Sequence, residues 1–178
     1  MTPTTKDIID QIEINRAGKP LGIPKTEIEA LYNFIKENNI KRVIETGVCY
    51  GISSAYILAA LPEDGHLFSI ESNVNPLTGS VIPDELRYKW HLISSTSQKE
   101  LYQLFLLNPH IDLFLHDSDH HACTQCFEFE TALPFVKYIA SHDITLYDSG
   151  SAWRSLTKKL GVKLLFEIGQ LGICQVIK

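Results

Sequence analysis

The sequence predicts a single-domain α/β fold in which a doubly wound, mostly parallel sheet carries helices on both faces. Five short apolar runs, each ending in polar residues or glycine, alternate with segments whose apolar residues recur every three or four positions. Two further apolar segments, 163–168 and 172–177, are separated by a glycine-containing turn and predict a terminal hairpin. The length of 178 residues is that of one such domain.

Composition and charge argue against several classes of function. The chain has 16 Lys plus Arg, 21 Asp plus Glu and a formal net charge of −5, so we expect no binding to nucleic acid or to anionic membranes. The N-terminus lacks the features of a signal peptide, and the longest apolar run, 55–61, is far shorter than the roughly 18 residues of a membrane span. We therefore expect a cytoplasmic protein whose four cysteines are thiols.

The N-terminal part of the domain predicts a helix, a strand, a glycine turn and a second helix. Residues 25–39 place apolar side chains on one helical face after Pro24. Residues 42–44 form a β-branched strand, and residues 53–61 form a helix that Pro62 ends. The turn between this strand and helix is the first candidate ligand-binding segment.

The remaining segments continue the alternation. The predicted strands are 66–70, 90–93, 111–116 and 144–147, and the predicted helices are 97–107, 122–138 with a bend near Pro134, and 152–160. Residues 73–83 carry two prolines and a glycine and predict a loop. Ligands of doubly wound sheets bind outside the carboxyl ends of the strands. The site is therefore expected among residues 45–51, 71–75, 94–97, 116–121 and 148–153.

The turn after the first strand has two glycines, Gly47 and Gly51, four residues apart. It lacks the middle glycine of a dinucleotide fingerprint and the lysine of a phosphate-binding loop. It suits a nucleoside without phosphates, with Ser53 and Ser54 as hydrogen-bond donors, although a simple packing turn is the alternative. Glu71 ends the second strand 24 residues after Gly47, about the spacing at which an acid binds a ribose; a solvated loop acid is the alternative.

Several motifs occur in the same order as in a known family. They are E-x-G-x-x-x-G at 45–51, the acid at 71, I-P-D-E-L-R-Y-K-W at 82–90, D-L-F-L-H-D-S-D-H at 112–120 and F-E-F-E at 127–130. With these motifs the chain resembles the class I S-adenosylmethionine-dependent methyltransferases. Within that class it is similar to a small bacterial, methyltransferase-24-like branch with an H-D-S-x-H motif, which is distantly similar to catechol- and macrocin-type O-methyltransferases.

The resemblance implies a single-domain Rossmann-like fold with a mostly parallel seven-stranded sheet, a C-terminal antiparallel hairpin and helices on both faces. The methyltransferase domain would span 24–178, after an N-terminal segment 1–23. The implied cofactor is S-adenosylmethionine, and the implied activity is methyl transfer to a small-molecule hydroxyl. The implied cofactor-binding residues are Glu45, Thr46, Gly47, Tyr50, Gly51, Ser53, Ser54, Glu71, Ser72, Ser95, Thr96, Asp117 and Ser118.

Catalysis of such a transfer requires a group that accepts the hydroxyl proton. His120, just beyond the fourth strand, is the candidate base, with Asp117 or Asp119 orienting its ring. The alternative is that His116, His120 and His121 only shape the pocket.

The resemblance also suggests a magnesium site. Catechol-type relatives hold Mg²⁺ with acids after the fourth and fifth strands, and those positions here are Asp117 and Asp148. The branch has a Pro-Gly-Gly turn where this chain has residues 140–143, and Asp-Asp where it has Tyr147-Asp148. It also has glycine in place of Ser95. The missing acid weakens a metal site built on an acidic pair.

Two other functions stay open from the sequence. The departures from the family pattern motivate a module that binds S-adenosylmethionine or S-adenosylhomocysteine without turnover. The cluster His120, His121, Cys123 and Cys126 indicates a zinc or iron site, unless the two cysteines are small buried side chains of a helix.

The chain has no substantial cap domain, so its pocket needs another roof. The N-terminal segment 1–23, the loop 73–83 or a second subunit of a homodimer would supply it. Tyr147 and Trp153, at the end of the predicted fifth strand, are expected in the core or in the pocket wall, and stacking on the acceptor is the alternative.

Overall fold

The computed structural model describes residues 4–19, 22–146 and 148–177. A short 3₁₀ helix, Asp84–Lys89, precedes the third strand. The other elements in chain order are α1 (Thr5–Arg16), α2 (Lys25–Glu37), β1 (Arg42–Thr46), α3 (Ile52–Ala60), β2 (His66–Glu71), β3 (Trp90–Ser94), α4 (Ser97–Leu107), β4 (Leu113–His116), α5 (Ala122–Ala132), β5 (Tyr138–Ser141), α6 (Ser149–Leu156), β6 (Val162–Ile168) and β7 (Leu171–Val176).

The strands form one sheet with the order β3-β2-β1-β4-β5-β7-β6. The first five strands along the chain are parallel, whereas β7 runs antiparallel to both β5 and β6. The strand order reverses between β1 and β4, so the carboxyl ends of these two strands flank the crevice in which such sheets bind ligands. The predicted fold class, including the C-terminal antiparallel hairpin, is confirmed.

Alternating side chains of the central strands build a core on each face of the sheet. Val43 and Leu113 point toward α1, α2 and α3, whereas Ile44 and Phe114 point toward α4, α5 and α6. All four are fully buried, as expected for a parallel strand covered on both faces. The two packed layers fix the positions of the strand ends on which the site depends.

The prediction of a fifth strand at 144–147 is wrong. α5 ends at Ala132 instead of continuing to residue 138, since Pro134 cannot donate the next helical hydrogen bond. The chain then enters β5, Tyr138–Ser141, which pairs with β4 and β7. The carboxyl end of the fifth strand therefore carries His142 and Asp143, where Asp148 was expected.

Other boundaries shift less. α6 covers Ser149–Leu156 rather than 152–160, and β4 starts at Leu113 rather than 111. The N-terminal segment contains α1, which the sequence analysis did not predict and which begins with a capping box between Thr4 and Asp7. Among the described residues, no helix combines the length and apolar character needed to cross a membrane.

Candidate active site

Two adjoining cavities lie at the carboxyl edge of the sheet. The first, of about 330 Å³, is bounded by residues that follow β1, β2, β3 and β4, and we call it the β2-side cavity. The second, of about 380 Å³, is bounded by residues after β1, β4 and β5 together with Gly22 and Ile23, and we call it the β5-side cavity. Both are lined by the turn 47–49 and by Asp117 and Ser118, so these residues separate the two spaces.

The glycine turn is shaped by close backbone contacts. Gly47 has φ +84°, and a Cβ on it would lie 2.0 Å from the carbonyl oxygen of Asp117, so only glycine fits between the ends of β1 and β4. Gly51 has φ +82°, and a Cβ there would lie 2.8 Å from Cα of Gly79. The loop 73–83, one of the three predicted roofs of the pocket, therefore supports the turn from outside, and its residues line neither cavity.

Glu71, at the end of β2, presents a carboxylate to the β2-side cavity. Its Oε2 accepts hydrogen bonds from the backbone N–H groups of Val48 (3.0 Å) and Cys49 (3.2 Å), and its Oε1 accepts one from Asn73 (2.8 Å). Partial burial alone would raise the pKa of Glu71, but these donors lower it overall. The cavity therefore contains an ionised carboxylate whose Oε1 has a lone pair left for one further donor.

Glu45 lies behind the turn and lines neither cavity. It is fully buried and accepts a hydrogen bond from Ser54, while its Oε2 has no hydrogen-bond partner in the described part of the chain. Burial raises the pKa of Glu45 to about 8, although the Ser54 hydroxyl opposes the shift. Glu45 and Ser54 support the turn from below and face away from the space where a ligand would bind.

Most of the predicted cofactor residues do line the two cavities. Those that line at least one are Thr46, Gly47, Tyr50, Ser53, Glu71, Ser72, Ser95, Thr96, Asp117 and Ser118. Glu45, Gly51 and Ser54 do not, because they pack beneath the turn or against Gly79.

The β5-side cavity contains a cluster of carboxylates and imidazoles. Nδ1 of His142 lies 3.2 Å from Oδ2 of Asp143 and 3.5 Å from Oδ1 of Asp117. On the other side of the same ring, Nε2 lies 3.0 Å from Oε2 of the buried Glu27 of α2. Nδ1 of His120 lies 3.2 Å from Oδ2 of Asp143. Three carboxylates therefore surround the buried imidazole of His142, and one of them, Asp143, also lies beside the exposed imidazole of His120.

The charges in this cluster perturb one another. Burial raises the pKa of Asp117 to about 7, and Asp143 adds to the shift while His142 opposes it. Burial alone would lower the pKa of His142, but Asp143, Asp117 and Glu27 together raise it to about 9. Perturbed groups that converge in one cavity are typical of a functional site.

Three expectations from the sequence are wrong at this edge. Asp148 does not follow the fifth strand; it accepts a hydrogen bond from the N–H of Ala122 at the start of α5 (2.9 Å). The ring of His120 lies beside Asp143, not beside Asp117 or Asp119, since β5 ends earlier than predicted. Trp153 is buried and donates from Nε1 to Glu167 (2.6 Å), so it belongs to the core. Tyr147 lies outside the described residues.

The third correction concerns the zinc or iron alternative. Cys123 and Cys126 are exposed on α5, and His120 and His121 face Asp143 and Asp148. Among the residues that the structure describes, the one group of three or more side chains placed to share a metal is Asp117, His142 and Asp143. The non-catalytic alternative was motivated by the missing Asp-Asp pair and the missing Gly-Gly turn, and the fifth strand is followed by His142 and Asp143 instead.

Glu128 is a buried residue of the site that the sequence analysis quoted only as part of a motif. Its Oε2 accepts from the Thr46 hydroxyl (2.7 Å) and lies 2.6 Å from Nδ1 of His116, while Oε1 accepts from the Ser118 hydroxyl (3.2 Å). It thereby connects the ends of β1 and β4 from α5. A glutamate between two phenylalanines at 127–129 is the signal that could have identified it, because an acid on a core-facing helix needs buried partners.

The fold and the site define a class I methyltransferase. A family described as a methyltransferase domain matches residues 44–144, more than half of the chain, and the chain belongs to it. The match confirms the resemblance to the class I S-adenosylmethionine-dependent methyltransferases and the enzyme class.

Solved structures of two enzymes share the fold. An O-methyltransferase from Bacillus cereus, solved in complex with S-adenosylhomocysteine, has a TM-score of 0.75 at 14% identity, covering 100% of this chain and 93% of that one. The O-methyltransferase TomG from Streptomyces achromogenes, involved in tomaymycin synthesis and solved with S-adenosylmethionine, has a TM-score of 0.76 at 15% identity, covering 100% and 92%. No curated protein sequence matches the chain significantly.

Proposed function

We propose that this enzyme transfers the methyl group of S-adenosylmethionine to a hydroxyl of a small molecule. The observation that carries the proposal is the pair of cavities that meet at Gly47 and Asp117, one with the Glu71 carboxylate and the other with His120 and the His142 cluster. Two structurally similar enzymes are O-methyltransferases that bind this cofactor or its product, and one of them acts in the synthesis of a small molecule.

The β2-side cavity fits the nucleoside part of the cofactor. Oε1 of Glu71 has a lone pair left to accept a ribose hydroxyl, and the charge of Glu71 would repel a 2′-phosphate. Ser95 and Thr96, after β3, would contact the adenine end. Gly47 allows the backbone to approach the cofactor where the cavities meet, and Ser53 at the start of α3 would bind the amino-acid tail.

The β5-side cavity would then hold the acceptor. When bound, S-adenosylmethionine supplies a methyl group on positively charged sulfur that leaves a neutral thioether after transfer to oxygen. His120 is placed to accept the hydroxyl proton: an Nδ1–H directed at Asp143 leaves Nε2 as the basic atom. Its side chain is 58% exposed, so a substrate can reach it. The cavity walls would add to the rate enhancement by positioning the acceptor hydroxyl against the methyl group.

A divalent cation fits the same cavity. Asp117, His142 and Asp143 are the residues that would hold it, in place of the Asp117 and Asp148 expected from the sequence. A bound cation would orient the acceptor and stabilise negative charge on its oxygen.

The first test is calorimetric titration of the protein with S-adenosylmethionine and S-adenosylhomocysteine. We expect micromolar binding, weakened about 10- to 100-fold in Glu71→Ala because a hydrogen bond to a charged acceptor is lost. The matched control is Glu85→Ala, which removes an exposed glutamate from the 3₁₀ helix and should bind as the wild type does. Equal affinities of the Glu71 and Glu85 variants would contradict the ribose assignment.

The second test separates binding from turnover. With a panel of phenolic and sugar acceptors, His120→Gln should lower kcat by at least about 100-fold while leaving cofactor affinity unchanged. Methyl transfer at the wild-type rate in this variant would remove His120 as the base.

A further inference from the structure

We propose that the cation site is built for a borderline transition metal such as Zn²⁺ rather than for Mg²⁺, and that Glu27 in α2 is its positioning residue. The inference rests on the proposed function, because the metal site lies in the β5-side cavity that is proposed to hold the acceptor. It concerns three ligands, Asp117, His142 and Asp143, and the buried glutamate behind them.

The spacing of the three side chains matches that of ligands around one ion. Their donor atoms all lie within 4.8 Å of one another, with Nδ1 of His142 at 3.2 Å from Asp143 and at 3.5 Å from Asp117. Ligand atoms about 2.1 Å from a tetrahedral zinc ion are separated by roughly 3.4 Å. An ion placed between them needs little rearrangement, and three protein ligands leave a position open for an acceptor oxygen.

The donor set favours a borderline metal. Mg²⁺ prefers oxygen ligands and binds imidazole poorly, whereas Zn²⁺ and Co²⁺ accept imidazole nitrogen together with carboxylate oxygen. His142 is the most buried of the three ligands, at 9% exposure, and its ring is held between carboxylates on two sides. A metal at this site therefore has to accept nitrogen.

Glu27 determines which ring nitrogen faces the metal. Its Oε2 lies 3.0 Å from Nε2 of His142, so that Nε2–H donates to Glu27. A metal ion would displace the proton on Nδ1, whose lone pair is then directed at the space between Asp117 and Asp143. The glutamate is itself held in place, because the β6–β7 turn packs so closely that a Cβ on Gly169 would lie 2.1 Å from its Oε1. A carboxylate behind a metal-binding histidine fixes its tautomer and raises its basicity.

The test of metal preference uses the whole protein after treatment with a chelator. Calorimetric titrations with ZnCl₂, CoCl₂ and MgCl₂ should show one equivalent of Zn²⁺ or Co²⁺, each bound at least about 10-fold more tightly than Mg²⁺. Bound Co²⁺ should also give a visible absorption spectrum. The inference is overturned if Mg²⁺ binds as tightly as Zn²⁺ or if no Zn²⁺ binds.

The test of Glu27 uses matched glutamates on one helix. Glu27→Gln should weaken Zn²⁺ binding about 10- to 100-fold and change the Co²⁺ spectrum, whereas Glu29→Gln, at an exposed position of α2, should do neither. Asp143→Asn should also weaken Zn²⁺ binding, and Asp148→Asn should not. Wild-type Zn²⁺ affinity in a folded Glu27→Gln protein would overturn the positioning role.

A further variant keeps the proposal testable if Glu27→Gln does not fold. His142→Asp retains three ligands but replaces nitrogen with oxygen, so the ratio of Zn²⁺ to Mg²⁺ affinity should fall at least about 10-fold. An unchanged ratio would overturn the assignment of His142. Titration with S-adenosylmethionine separates this inference from the proposed function: cofactor binding without Zn²⁺ binding overturns only the metal site, and Zn²⁺ binding without cofactor binding overturns only the function.

Discussion

Asp112 and Asp117 lie five residues apart at the two ends of β4. Hydrogen-bond donors surround Asp112, whereas another carboxylate lies near Asp117. At the amino edge of the sheet, Asp112 accepts hydrogen bonds from the N–H groups of Lys41 (2.9 Å) and Arg42 (3.2 Å) and from Nζ of Lys137 (2.7 Å). Burial alone would raise the pKa of Asp112, but these donors lower it overall. The negative charge of Asp112 is therefore stabilised by donors of the chain itself.

At the carboxyl edge, Asp117 lies beside another carboxylate. Its pKa is raised to about 7, and the nearby cation is an imidazolium shared with Asp143 and Glu27. The comparison shows that one edge stabilises the fold, while the other carries excess negative charge that a cation would relieve.

Among changes at the two edges, replacing the glycine at the junction of the two cavities should have the largest effect, a loss of cofactor affinity. Gly47→Ala forces a Cβ against the Asp117 carbonyl, so we expect S-adenosylmethionine affinity to fall at least about 100-fold, measured by calorimetry. Gly18→Ala is the matched control, because Gly18 also has a positive φ (+78°) but a Cβ on it meets no described atom within 4 Å. If both variants lost S-adenosylmethionine affinity to a similar extent, the loss would come from the left-handed backbone conformation that the two glycines share. The close approach of Gly47 to Asp117 would then not be the cause.

Local patterns were sufficient to predict most of the elements. α4 has the bounds predicted from its apolar spacing, Ser97–Leu107, and β1 with its glycine turn lies where the β-branched run and the two glycines placed it. These segments carry strong signals because every residue that defines them is near in sequence.

The fifth strand was missed because a competing local pattern extended the preceding helix. Tyr138–Ser141 has only four residues, and its pairing with β4 and β7 decides its conformation. One signal was available: β4 and β5 are both apolar runs that end in His-Asp, at 116–117 and 142–143. The role of Glu27 could not be predicted, since its partner His142 lies 115 residues away in sequence.

The next largest effect is expected at Glu128, whose buried carboxylate holds residues at the carboxyl ends of β1 and β4 in place. Glu128→Gln breaks a fully buried pair with His116 and weakens the support of Thr46 and Ser118, so the free energy of unfolding should fall by about 3 kcal/mol. Cofactor affinity should fall about 10-fold, because Thr46 and Ser118 line the β2-side cavity. Urea denaturation and calorimetry measure the two changes.

The control for Glu128 lies in the same motif. Glu130 is exposed and pairs with Lys159 on the surface, so Glu130→Gln should cost less than about 0.5 kcal/mol. If the two variants lost equal stability, the buried network around Glu128 would not be what stabilises this edge.

Removing the charge at the amino edge should give the smallest of the three effects and should change stability alone. Asp112→Asn loses the pairing with Lys137 and weakens two backbone contacts, so we expect a loss of about 2 kcal/mol at pH 7 with unchanged cofactor affinity. Asp64→Asn is the control at the same edge: Asp64 also contacts a lysine, Lys41, but is exposed, and its loss should not be measurable.

The pH dependence of this effect follows from the direction of the pKa shift. The pKa of Asp112 is lower in the folded chain than its ordinary value of 3.8, so the unfolded chain binds the proton more tightly. Its contribution to stability is therefore fully present above that value and is lost as the pH falls through the folded pKa. The difference in unfolding free energy between wild type and Asp112→Asn should be constant from about pH 7 to 5 and should narrow below about pH 4. A difference that grew on acidification would show that Asp112 is not held as an ionised, matched charge.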